Sequence, residues 1–129
     1  MVARMVDSVS RLYDAVLAAR NDDPAKSRTA RLFRAGRAKM AKKLAEEAVE
    51  VVIDAMNGSR EAVVKESADL IYNLVVLWVS SGVQPKDVWK EMERRERLFG
   101  IAEKLSKDAL DDPRRKVVAL DARRLRKRR

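Results

Sequence analysis

Helix-breaking residues are so few in this chain, and so grouped, that they divide it into helices and little else. Four glycines and three prolines stand among 129 residues, and no segment sustains the apolar–polar alternation of a strand. The reading is all-α. A first helix is expected over residues 7–19, where Val9, Leu12, Tyr13, Val16 and Leu17 recur at three- and four-residue spacing. Residues 21–24 end it. A short helix over 27–33 has Ser27 as its cap, and Gly36 marks the next break. The longest stretch between breakers runs over 37–56 and stops at Asn57-Gly58, two residues that tolerate positive φ. Ser59 can cap the following helix, which reaches Ser81 and stops at Gly82. Pro85 suits the first turn of a last helix to about Arg97, with Val88, Trp89, Met92 and Phe99 on its apolar side.

Composition removes whole classes of chemistry. With no cysteine there are no disulfides and no thiolate metal sites, and with no histidine there are no histidine bases or ligands. Catalysis has to run on carboxylates, amines, guanidiniums, hydroxyls, amides or a bound metal. The longest apolar run, residues 70–79, is interrupted by Asn73 and falls well short of the ~20 residues of a membrane span. The opening MVARMVDSVS has no uninterrupted apolar segment like that of a secretory signal, so a cytoplasmic location is the default expectation. The net charge of +9 is unevenly spread. Residues 114–129 hold nine basic side chains and one acid, whereas residues 1–113 hold twenty and nineteen. A nearly neutral helical domain over 1–100 is therefore expected to carry a charged extension over 101–129. Within it, Asp111-Asp112-Pro113 is a hinge candidate, and Val117, Val118, Leu120 and Leu125 mark a short basic helix. The tail suits weak contact with polyanions, while no specific nucleic-acid site is expected.

The helix over 37–56 carries Glu46, Glu47 and Glu50. At about 100° per residue all three fall in one sector, and apolar residues cover most of the remaining circumference. The acids thus border a broad surface expected to be buried. The next helix carries Glu66, Asp69 and Asn73 at i, i+3 and i+7, a polar line in an otherwise apolar helix. Buried polar groups cost free energy unless paired, so such a line needs a cause. The short connection makes the two helices antiparallel, and their acidic faces can confront each other. Carboxylates gathered around one space repel unless a cation joins them. Glu47, Glu50, Glu66 and Asp69 form the expected ligand set, and Mg2+ suits hard oxygen donors better than zinc does. The competing reading is ordinary surface charge, salt-bridged to lysines.

Between Lys26 and Lys43 lie eight basic residues and no acid. A cationic stretch running into an anionic cluster fits a polyphosphate bridged to carboxylates by metal. Lys39, Lys43 and Glu47 follow at four-residue spacing and share a helix face, and Ser27 and Thr29 add hydroxyl donors. The alternative for this stretch is a solvated basic face. The aromatic residues Tyr13, Phe33, Tyr72, Trp78, Trp89 and Phe99 fall mainly at core-like positions, with Tyr72 the least certain.

These residues carry a strong resemblance. Ser27-Arg-Thr29-Ala-Arg-Leu32, Lys42-Lys43-Leu-Ala-Glu46-Glu47-Ala-Val-Glu50, Asn57-Gly58 and Glu66-Ser-Ala-Asp69-Leu-Ile-Tyr72 together look like phosphoribosyl-ATP pyrophosphohydrolase, the histidine-biosynthesis branch of the all-helical MazG-like pyrophosphohydrolases. The resemblance covers about residues 8–98. It implies a helical bundle completed by homodimerisation, with sites near the interface. It also implies Mg2+-dependent hydrolysis of 1-(5-phosphoribosyl)-ATP between its α and β phosphates to phosphoribosyl-AMP and pyrophosphate. The family's metal-binding acids fall on Glu47, Glu50, Glu66 and Asp69, the preceding acid on Glu46 and the upstream lysine on Lys43. Glu46, Glu50 and Lys43 are thus the expected catalytic groups. Ser27, Arg28, Thr29, Lys39, Lys42, Lys43 and Asn73 are the expected substrate contacts. The chain departs from the family pattern at Arg28, where an aromatic residue is common, and at Asn73, where histidine is common. Neither belongs to the carboxylate set. Two other functions remain in view: a house-cleaning nucleoside triphosphate pyrophosphohydrolase using the same acids, and a basic helical nucleic-acid-binding or adaptor protein.

Overall fold

The computed structural model describes residues 7–99. The expected extension over 101–129, with its hinge and basic helix, lies outside the described residues. Those described form five helices and no strand: α1 (Ser8–Ala19), α2 (Arg28–Ala35), α3 (Arg37–Met56), α4 (Arg60–Ser81) and α5 (Pro85–Leu98). The all-α class implied by the resemblance is the one observed.

Local chemistry sets each boundary. Asp7 accepts from the Ser10 amide at 2.7 Å and opens α1. Ser27 Oγ accepts from the Ala30 amide at 3.1 Å and opens α2. Ser59 does the same for α4 through Ala62. Each side chain satisfies an amide that the first turn leaves without a helical partner. Gly36, at φ 98°, ends α2 and starts α3 in one residue, and its own amide donates to Leu32 O at 3.1 Å. The helix therefore runs two residues beyond the expected 27–33, because the positive-φ glycine rather than Phe33 stops it. At the α3–α4 turn only Gly58 takes positive φ (74°), while Asn57 remains right-handed at φ −79°.

α4 is the central element, packed against α3 on one side and α1 on the other, with α2 against α3 and α1. The core consists of Val16, Leu32, Met40, Val75, Val76 and Val79, with Val9, Leu12, Tyr13, Phe33, Tyr72, Leu77 and Trp78 packed around it. α1 delivers its stripe as the spacing predicts, except that Leu17 stays exposed. α3 departs further from expectation. Met40 is its one buried residue, and Val49, Val52, Ile53 and Met56 lie exposed within the single chain. The broad apolar surface bordering the acids is present, but this chain alone does not cover it. α5 belongs to a second compact unit. Along it Glu91 accepts from Arg94 and Arg95 at 2.9–3.1 Å, which holds its carboxyl well down, at about 2.

Ser27 is thus a helix cap. Ser27→Ala is expected to lower the unfolding free energy by about 1 kcal/mol, and Ser27→Asp to restore it, because aspartate also caps. Urea denaturation followed by circular dichroism checks both. Unchanged stability in the alanine variant would contradict the capping role.

Candidate metal and phosphate site

The acidic site is built on the antiparallel α3–α4 hairpin. Glu47 projects from α3, and Glu66 and Asp69 stand one turn apart on α4. One carboxylate oxygen from each of the three comes within 4.8 Å of the others, and all three side chains are partly exposed. Glu66 feels the crowding most. A hydrogen bond shared with the Glu47 carboxyl, then partial burial, then the negative charges of Glu47, Asp69 and Asp54 raise its pKa to about 7. Sharing a proton is how two adjacent carboxyls avoid facing each other as anions. A divalent cation relieves the same repulsion, and three carboxylates open to solvent on one side suit an ion that retains water or takes phosphate oxygens.

Two of the expected acids lie outside this group. Glu50 follows Glu47 by three residues on α3 and is exposed, as is Glu46. Asp54, which sequence reading passed over, adds its charge at Glu66. The signal was available: Asp54 follows Glu47 by seven residues, two turns along the same helix face.

The basic residues divide into those that hold the fold and those that line open space. Arg37 donates to Ser80 Oγ at 3.1 Å and Ser80 O at 2.7 Å, tying the start of α3 to the end of α4. Arg28 lies over the Tyr72 ring at 5.0 Å, a cation–π distance. Thr29, expected as a substrate contact, is buried, and its hydroxyl shares a 2.7 Å hydrogen bond with Tyr72 Oη. Tyr72 thereby joins α2 to α4 three residues beyond Asp69. Asn73 is also buried, 1% exposed. Its amide nitrogen donates to Asp69 O at 2.8 Å, and its Oδ1 has no partner. Lys42 is exposed on α3. Arg28, Arg31, Leu32 and Ala35 of α2, with Lys39 and Lys43 of α3, line a pocket of about 400 Å³. Arg31 had no separate role in the sequence reading, and its place beside Lys39 depends on how α2 folds back on α3.

The arrangement is one of carboxylates on a helical hairpin with a cationic pocket reached along α3, and comparison with known proteins agrees with it. The family model described as phosphoribosyl-ATP pyrophosphohydrolase matches residues 9–96. A Rhodopseudomonas palustris protein named phosphoribosyl-ATP pyrophosphatase 2 is 65% identical over 97% of this chain and 100% of its own length. A Bradyrhizobium diazoefficiens protein of the same name is 64% identical over 96% of this chain and 99% of its own. A Gluconobacter oxydans phosphoribosyl-ATP pyrophosphatase is 52% identical over 77% and 74%. With the matched span running from α1 into α5 and containing every carboxylate of the site, the chain belongs to the phosphoribosyl-ATP pyrophosphohydrolase family.

Proposed function

We propose that this chain hydrolyses 1-(5-phosphoribosyl)-ATP between its α and β phosphates, giving phosphoribosyl-AMP and pyrophosphate in histidine biosynthesis, and that it uses Mg2+ as a cytoplasmic homodimer. The observation that carries the chemistry is the convergence of Glu47, Glu66 and Asp69 within 4.8 Å on the hairpin. The donor set fits Mg2+: the oxygens are hard and anionic, and the chain has no cysteine or histidine to favour a softer ion. Glu47, Glu66 and Asp69 would hold it, with Glu50 close by on α3. When bound, the ion supplies positive charge that offsets the phosphate oxygens and makes water more acidic. Glu50 or Glu46, both open to solvent, accepts the proton from the attacking water. Lys43, one turn before Glu47, donates to the departing pyrophosphate and offsets the charge that grows there. Arg28 and Lys39 add cationic contacts along the substrate.

Support for the homodimer comes from α3 and α4. Val49, Val52, Ile53 and Met56 follow at i, i+3, i+4 and i+7, between 45% and 83% exposed, and Val64 and Ile71 of α4 are exposed as well. A contiguous apolar stripe of this kind marks an interface rather than a solvated face. No helix among the described residues is long and apolar enough to cross a membrane.

Asp69→Ala and Glu50→Ala are each expected to lower magnesium-dependent pyrophosphate release from phosphoribosyl-ATP by at least about 100-fold, with the helical circular dichroism preserved. Wild-type rates in both variants would overturn the assignment. Glu66→Gln separates stability from activity. In chelated protein the Glu66 carboxyl takes up its proton more readily when folded than when unfolded. The repulsion is therefore absent below the ordinary carboxylate range, grows as pH rises towards about 7, and is complete above that. Glu66→Gln thus raises Tm of the chelated protein at pH 8, leaves it unchanged near pH 4, and abolishes the further rise that Mg2+ gives the wild type. Val52→Glu places a charge in the apolar stripe and is expected to convert a dimer to monomers in sedimentation velocity. A monomeric wild type at micromolar concentration would contradict the dimer.

A further inference from the structure

The pocket between α2 and α3 contains more positive charge than the hydrolysed linkage accounts for. Arg28, Arg31, Lys39 and Lys43 line it together with Leu32 and Ala35, and no acid does. The ion pairs Glu61–Lys65, Glu91–Arg94 and Glu91–Arg95 involve none of the pocket's residues and neutralise none of its cations. Two of its guanidiniums are already positioned. Arg31 is held by a 2.8 Å hydrogen bond to Pro24 O, which occupies one of its five N–H groups, and Arg28 is held over Tyr72. Cations gathered and braced in this way repel one another until an anion joins them.

Position decides which anion. Lys43 stands one turn before Glu47 and Lys39 two turns before it, so the helical rise alone separates Lys39 from Glu47 by about 12 Å along the axis. A pyrophosphate group is shorter than that. Lys43 lies at the near edge, beside the carboxylates, and Arg31 and Lys39 line the pocket away from them. Leu32 and Ala35 add an apolar wall that suits a sugar better than a bare polyphosphate.

We propose that this pocket is a second anion subsite that takes a sugar phosphate monoester at the end of the substrate remote from the hydrolysed linkage. The inference rests on the activity proposed above, because phosphoribosyl-ATP carries its triphosphate on one ribose and a separate phosphate on the other. With the triphosphate at the carboxylates, the second phosphate lies on the fork of Arg31 and the ammonium of Lys39. Arg31 is then a specificity-determining residue: it recognises the group that separates this substrate from ordinary nucleoside triphosphates.

Titration calorimetry of the full chain with Mg2+ tests this by comparing phosphoribosyl-AMP, which carries the second phosphate, with AMP, which lacks it. The wild type is expected to bind phosphoribosyl-AMP more tightly. Arg31→Gln is expected to weaken phosphoribosyl-AMP about tenfold and leave AMP unchanged, the loss of one charge-assisted contact. Lys39→Gln, at an exposed position without a structural hydrogen bond, gives the same pattern should Arg31→Gln disturb the Pro24 contact. Arg34→Gln removes a charge from α2 outside the pocket and matches the wild type. Equal weakening of both ligands would overturn the subsite, because the pocket would then be holding the phosphate that the two share. Unchanged binding in both pocket variants would overturn it too. Absence of phosphoribosyl-ATP turnover by the wild type would sink the proposed activity, and the two Kd values would still judge the pocket.

Discussion

Three carboxylates cannot share a few ångströms with all their charges intact unless something positive comes between them. Glu47, Glu66 and Asp69 are brought that close because α3 and α4 run antiparallel from a tight turn at Gly58, and the hairpin fixes which residues face each other. The fold therefore imposes an electrostatic cost on the metal-free protein, visible in the raised Glu66 carboxyl. An ion that removes the repulsion binds and stabilises at once, so affinity for the cation and stability of the hairpin are two expressions of one interaction.

Around that pair, α2 divides its side chains between structure and substrate. Ser27 caps the helix and Thr29 is bonded to Tyr72, so each hydroxyl already serves the fold. Arg28 and Arg31 are braced against a ring and a carbonyl, yet both reach the pocket. Bracing limits the freedom that binding an anion would otherwise remove, and the same short helix is anchored to the core through Ala30, Leu32 and Phe33.

Helix boundaries were legible in the sequence because each rests on local chemistry that a few residues announce. The 37–56 and 59–81 readings meet the observed α3 and α4 nearly residue for residue, since Gly36, Gly58, Ser59 and Gly82 act on their own neighbours. The site was legible only to the resolution of a helix sector. Spacing places Glu46, Glu47 and Glu50 on one side of α3, yet the sector is wide and α4 approaches only part of it, so Glu47 meets the opposing acids while Glu50 and Glu46 stay exposed. Which part is approached depends on how the two helices roll against each other, and that depends on the whole core. Asp54 and Arg31 were missed for the same reason. Spacing put Asp54 on the helix face of Glu47 and Arg31 inside the basic run, but each acquires its specific role only from a partner element.

The core explains why the hairpin is not a self-sufficient platform. Its buried centre is built largely from valines on α1 and α4, with Leu32 and Met40 beside them, while most of the apolar residues of α3 after Met40 remain outside it. α3 packs on α4 and α2 yet leaves much of its apolar surface uncovered, and in proteins helix stability comes mainly from burying such a face. The stripe Val49, Val52, Ile53 and Met56 leaves that helix close to Glu47, Glu50 and Asp54, so whatever covers the stripe also fixes the roll of α3 against α4. A second copy of the chain would then do two things at once: bury the apolar surface that the monomer leaves wet, and hold the carboxylates at the spacing a hard divalent ion requires. On that argument assembly and metal binding are thermodynamically linked, and each should strengthen the other.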